Sequence, residues 1–160
     1  MTPLQRPVRK SALLLLLLIS ILGFADASYL AAKFYQGKVP PCSIVSGCEE
    51  VTTSQYATIL GVPVSLTGAL YYLAFIILLV VYLDRGKDAF FRAAAWLSVF
   101  GFLFSLWLLS AQLFLIGAIC LYCLFSFTTS TVIFITSTGI LGWGRHAIIN
   151  TNQPIIPIYK

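Results

Sequence analysis

Three long apolar stretches, the last of about double length, set the pattern of this chain, separated by one long polar loop and one short charged segment. The first runs from Ser11 to about Tyr35 and is most continuous over Ala12–Phe24. Small residues recur in it at Gly23, Ala27 and Ala31, a spacing that lets helices approach closely in lipid. The second covers Val64–Leu83, entered after Gly61–Pro63 and left at the charged run Asp84–Asp88. After Arg92 no charge appears from Ala93 to Gly144. As one helix that stretch would be roughly 78 Å long, over twice the thickness of a bilayer core. It must therefore fold back on itself, and Gly117, near its midpoint, tolerates the tight turn. The pattern predicts spans at about 11–35, 64–83, 93–116 and 119–141.

These spans define an all-α membrane protein, a four-transmembrane-helix bundle over residues 11–142. A basic terminus (1–10) and a tail (143–160) flank it, and a cysteine-bearing loop (36–63) lies on one side. The basic flank Arg6, Arg9 and Lys10 also fits a secretory leader with a weak cleavage site near Ala25. Because the apolar pattern continues past that point, an uncleaved anchor is the expectation. Within the loop, Glu49–Leu60 reads as a short interfacial helix stopped by Gly61 and Pro63.

Composition agrees with lipid as the solvent. Apolar residues make up 59% of the chain and charged ones 9%, more apolar surface than a small soluble domain can hide. The net charge of +5 might point to nucleic acid, but its placement is a topology signal. Eight basic residues (Arg6, Arg9, Lys10, Arg85, Lys87, Arg92, Arg145 and Lys160) fall on one side, and only Lys33 and Lys38 on the other. Both termini are expected in the cytoplasm of a multi-pass plasma-membrane protein, with no nucleic-acid partner.

That orientation gives the cysteines their meaning. The chain has four: Cys42 and Cys48 in the loop, and Cys120 and Cys123 as a CxxC at the mouth of the fourth span. All would face the extracytoplasmic side, where disulfides persist. Cys120 and Cys123 share a helix face, and the helix N-terminus favours the thiolate of Cys120. Two dithiol pairs at one membrane face can pass electrons in twos through mixed disulfides. The reading is a thiol–disulfide relay. Alternatives stay open: packed apolar cysteines, a loop disulfide that merely clamps a noncatalytic four-span scaffold, or a tetracysteine zinc site, the last disfavoured by loose spacing. No metal site is expected. Asp26 is the one acid inside a span and is either functional or simply reaches interfacial water.

The chain resembles the vitamin K epoxide reductase family over roughly residues 12–142. The residues that carry the resemblance are Pro41–Cys42, CEEVTTSQY at Cys48–Tyr56, GVPVSLTG at Gly61–Gly68, and CLYC at Cys120–Cys123. The resemblance implies a four-helix bundle holding a quinone of the ubiquinone or menaquinone type beside the CxxC. It implies that Cys123 faces the quinone and that Cys120 exchanges with Cys48. Cys42 would meet substrate thiols, and Ser54 would lie near the quinone. Family members that recycle vitamin K use an asparagine and a tyrosine on the quinone carbonyls. Val64 and Phe127 stand at the corresponding positions, which argues against epoxide reduction. Many single-cell members carry a fused thioredoxin-like domain; its absence here leads to the expectation of a separate extracytoplasmic thioredoxin-like partner.

The expected activity is a disulfide-forming quinone oxidoreductase: a membrane thiol oxidase running from partner thiols through Cys42 and Cys48, then Cys120 and Cys123, to a lipid-soluble quinone. On the fourth span, helical spacing carries the CxxC face on through Phe127, Thr131 and Phe134, a candidate apolar wall for the quinone ring, with Ser54 as a polar contact from the loop.

Overall fold

A computed structural model describes residues 10–41 and 47–151. Cys42, the first nine residues and residues 152–160 lie outside the described residues. The described residues form five α-helices: α1 (Lys10–Tyr35), α2 (Cys48–Thr53), α3 (Val64–Arg85), α4 (Asp88–Ser110) and α5 (Leu121–Thr151). Four segments are long and apolar enough to cross a bilayer: Ser11–Tyr35, Val64–Arg85, Asp88–Ile116 and Leu121–Leu141. The protein is a four-helix membrane bundle.

The helices close into a ring in which α1 packs on α3, α3 on α4, α4 on α5 and α5 back on α1. Its interior is held by Leu16, Tyr72, Phe75, Leu79, Ala94 and Ile133. Leu14, Leu18, Trp96, Leu103 and Ile135 stay exposed on the outside, where lipid is the solvent. Small side chains set the α1–α3 approach. Ala27 and Ala69 are buried, and a Cβ placed on Gly68 would rest 3.5 Å from that of Ala27. Several hydroxyls inside the bundle find acceptors nearby: Ser20 donates to the Leu16 carbonyl (2.7 Å) and Ser130 to Ser105 Oγ (2.9 Å).

The third span starts earlier than the hydrophobic pattern placed it and ends at Ile116 as expected. Helix α4 begins at Asp88, ahead of the uncharged stretch, because an acid in the first turn complements the helix dipole. Its far end, Ala111–Ile116, widens into a π-helical turn that stops at Gly117, whose φ of 71° only glycine adopts at little cost. That turn reverses the chain between the third and fourth spans.

The loop helix is shorter than Glu49–Leu60. Helix α2 ends at Thr53, and Ser54 takes an extended conformation (φ −66°, ψ 159°). A 3₁₀ turn follows at Gln55–Ala57, then a minimal hairpin pairing Thr58 with Pro63 and Ile59 with Val62. Leu60 and Gly61 turn that hairpin with φ of 52° and 80°. The helix ends where Ser54 turns extended and its hydroxyl takes up the Val51 carbonyl at 2.8 Å, while Thr52 Oγ1 donates to the Cys48 carbonyl and Thr53 Oγ1 to that of Glu49, each at 2.7 Å. The β-branched Thr58 and Ile59 then favour extended backbone.

Candidate active site

The site forms where the loop lies over the N-terminus of α5. Cys120 occupies the N-cap position, its carbonyl accepting the Leu124 N–H at 3.1 Å. Its own N–H donates to Gln112 Oε1 at 3.0 Å, so the π-helical turn of the third span braces the start of the fourth. Gln112 is itself buried. Cys123 follows within the first turn of α5, and both cysteines are free thiols joined by a hydrogen bond. That bond from Cys123, helped by the backbone N–H groups of Cys123 and Tyr122, holds the Cys120 thiol below its ordinary range despite opposing burial. The attacking form of Cys120 is thereby favoured.

Cys48 comes to the same place from the loop. It is disulfide-bonded and 1% exposed, packed in one apolar cluster with Val51, Ala118 and the fully buried Cys120. Gly47 makes this approach possible. A Cβ there would lie 2.7 Å from the Ile119 carbonyl oxygen, 2.8 Å from the Ile119 nitrogen and 3.1 Å from the Ala118 Cβ. The requirement is for closeness rather than an unusual backbone, since Gly47 has φ −84°.

A second tether holds the other end of the loop. Tyr122, between the two CxxC cysteines, donates its hydroxyl to the Pro41 carbonyl at 3.1 Å. Its ring also packs on Tyr29 of α1, with centroids 5.6 Å apart. The backbone immediately before Cys42 is thus held at the N-terminus of α5.

Beneath the loop lies a cavity of about 890 Å³. Cys123, Phe127, Phe104, Ala111 and Val64 give it an apolar wall, while Gln112, Tyr71, Tyr72, Asp26 and Ser54 bring polar groups to it. Size and character suit a flat, largely apolar ring with a few polar atoms. Asp26 Oδ2 and Tyr71 Oη, buried atoms of two residues that line this cavity, have no hydrogen-bond partner. The chemistry of a quinone, with an apolar ring and two carbonyl oxygens, fits this lining.

The sequence-predicted residues separate into two groups. Cys48, Cys120 and Cys123 meet at the mouth of α5, and Ser54 and Phe127 line the cavity. The Ser54 hydroxyl already donates to the Val51 carbonyl at 2.8 Å. Thr131 and Phe134 do not line the cavity. Thr131 Oγ1 donates back to the Phe127 carbonyl at 2.7 Å. Phe134 stacks on Phe102 of α4, centroids 4.7 Å apart and planes 7° from parallel. Helix α4 therefore covers the CxxC face one to two turns below Phe127. Gln112, Tyr71 and Tyr122 were not singled out from the sequence. Gln112 had a signal, as the single amide side chain between Ala93 and Gly144. Asp26 had one too, as a lone acid in a span.

The sequence profile of the vitamin K epoxide reductase family matches residues 14–138. No curated protein matches the chain significantly.

Proposed function

The chain belongs to the vitamin K epoxide reductase family, which makes it a membrane thiol–disulfide oxidoreductase of the quinone-using class, and on that footing we propose that it is a thiol oxidase that supplies disulfides to extracytoplasmic proteins. Electrons enter from a separate thioredoxin-like protein at Cys42 and Cys48, pass to Cys120 and Cys123, and leave to a ubiquinone- or menaquinone-type quinone. Both termini lie in the cytoplasm and both cysteine pairs outside it, in line with the eight-to-two split of basic residues.

One observation carries the reading. Cys120 is buried against the disulfide-bonded Cys48, while Cys123, its hydrogen-bonded neighbour, lines the cavity. The two sulfurs of one CxxC thus have different faces, one toward the loop and one toward the cavity.

The steps balance. A partner dithiol reduces the loop disulfide and becomes a disulfide itself. The loop dithiol then reduces an inner disulfide: a Cys48 thiolate attacks Cys120, Cys123 leaves as thiolate, and Cys42 resolves the mixed bond. The inner pair ends as a dithiol and the loop as a disulfide. That is the redox state of the described cysteines, with Cys48 bonded and Cys120 and Cys123 free. When bound, quinone accepts the two electrons and two protons that return the inner pair to a disulfide. Gln112 orients the start of α5 so that Cys123 is presented to the cavity, and the loop shields the exchange from water.

Cys42→Ala is expected to stop oxidation of a reduced thioredoxin-like protein and to leave turnover with a small dithiol that reaches the inner pair directly. In intact cells under reducing conditions, a membrane-impermeant maleimide should label Cys42 from outside. Undiminished protein oxidation by the variant would contradict the assigned entry point. Labelling only in inside-out vesicles would contradict the orientation.

A further inference from the structure

We propose that Gln112 is a catalytic residue of the relay: its carboxamide N–H donates to Cys123 Sγ and stabilises the thiolate released there when the Cys48 thiolate attacks Cys120. The proposal rests on the relay reading of the two cysteine pairs and assigns the group that makes Cys123 a good leaving group.

One carboxamide touches both cysteines of the CxxC. Gln112 Oε1 accepts the Cys120 N–H at 3.0 Å, and the same side chain hydrogen-bonds that of Cys123. The first bond settles which way the amide points. With its oxygen turned to the Cys120 nitrogen, the –NH2 end is left for Cys123, and that end only donates. Cys123 in turn hydrogen-bonds Cys120, so the amide and the two sulfurs form one chain ending on the sulfur that is attacked.

Placement supports the assignment. Gln112 is buried, and a carboxamide inside an apolar bundle is tolerated only when its polar atoms are bonded. It stands on the π-helical turn Ala111–Ile116, a backbone feature that recurs at functional sites. Bracing the start of α5 needs only the oxygen, which leaves the amide end for the sulfur. The titratable groups that act on Cys123 are Cys120 beside it and Asp26 of α1. Both become anions, and an anion nearby opposes a second one. The backbone N–H groups of Cys123 and Tyr122 serve Cys120. A neutral donor fixed at the Cys123 sulfur meets this need.

In the step itself the Cys120–Cys123 bond breaks, the Cys48–Cys120 bond forms, and the electron pair of the broken bond goes to Cys123 Sγ. No proton is transferred. Exchange is favoured when the departing thiolate is stabilised.

The test needs no quinone. In full-length Cys42→Ser protein in lipid nanodiscs, stripped of quinone and oxidised at the inner pair, Cys48 is a free thiol. It distributes between that state and a 48–120 disulfide with Cys123 released. Acid quenching, thiol labelling and peptide mapping read the ratio of the two. Adding Gln112→Met, which keeps the length and removes both polar atoms, should lower the released fraction roughly tenfold where thiols ionise. The effect should grow as pH rises through the thiol range, because the amide bonds a thiolate more strongly than a thiol. A displaced helix would change the ratio equally at every pH. Gln112→Glu retains an acceptor for the Cys120 N–H and lacks the donor, so it should shift the ratio in the same direction. An unchanged ratio in either variant, or a shift independent of pH, overturns the proposal. That holds even if KM for quinone rises, since Gln112 would then serve the quinone alone. Absence of any 48–120 disulfide when Gln112 is intact contradicts the relay instead, so the two failures are distinct.

Discussion

Cys123→Ala is expected to abolish quinone reduction and to leave the protein able to form a Cys48–Cys120 mixed disulfide. Cys123 is the only one of the described cysteines that lines the cavity, so its loss leaves no sulfur to deliver electrons there. Cys120 stays buried against the disulfide-bonded Cys48, with its thiolate favoured, and can still attack that bond. Without Cys123 nothing on the inner side can resolve the product, and alkylation of the released loop thiol traps it. Peptide mapping under non-reducing conditions should find the 48–120 crosslink. Cys120→Ala should behave oppositely, giving no such crosslink and no transfer from the loop. Quinone turnover by Cys123→Ala near the normal rate would remove Cys123 from the quinone step.

The second large effect comes from a residue with no chemistry of its own. Gly47→Ala should slow electron transfer from protein thiols about a hundredfold, the scale at which a displacement of about 1 Å between reacting groups acts. The new methyl would meet the backbone of Ile119 at 2.7 Å and 2.8 Å, and backbone cannot swing aside as a side-chain tip can. The loop must lift, taking Cys48 away from Cys120. The inner pair and the Cys123–Phe127 wall of the cavity stand on α5 rather than on the loop, so quinone reduction driven by a small dithiol should persist. Comparing the two donors on one preparation separates these outcomes. Equal slowing with both would mean the substitution damages the bundle, and no slowing with either would mean the close approach of Gly47 is dispensable.

The four spans were legible because lipid imposes a simple demand: about twenty apolar residues per crossing, with charges at the ends. Even the hidden break in the long uncharged stretch followed from length alone, and Gly117 marked it. The meeting of Cys48 with Cys120 followed from no spacing. It came only through the family resemblance, and the geometry supplies its cause in Gly47 and the tether from Tyr122 to Pro41.

Other features were not legible. The end of the loop helix was set locally at Ser54, whose backbone turns extended and whose hydroxyl takes up the Val51 carbonyl. The face running from Cys123 through Phe127 to Thr131 and Phe134 is correct as helix geometry. How far the cavity follows it depends on the neighbouring helix, and Phe102 covers Phe134. Tyr71 was hidden for a related reason. It is next to Tyr72 in an apolar run, and only the packing of α3 on α4 distinguishes the tyrosine with partners from the one without.

The central claim is that two cysteine pairs carry electrons from extracytoplasmic thiols to a quinone, and stoichiometry tests it most directly. Purified full-length protein in nanodiscs, held under anaerobic conditions, is mixed with a reduced thioredoxin-like protein and a short-chain quinone. The account predicts one hydroquinone formed for each disulfide appearing in the partner, with activity lost when any of the four cysteines is replaced. Partner oxidation without hydroquinone, or hydroquinone formation that survives replacement of Cys48 or Cys120, would contradict it.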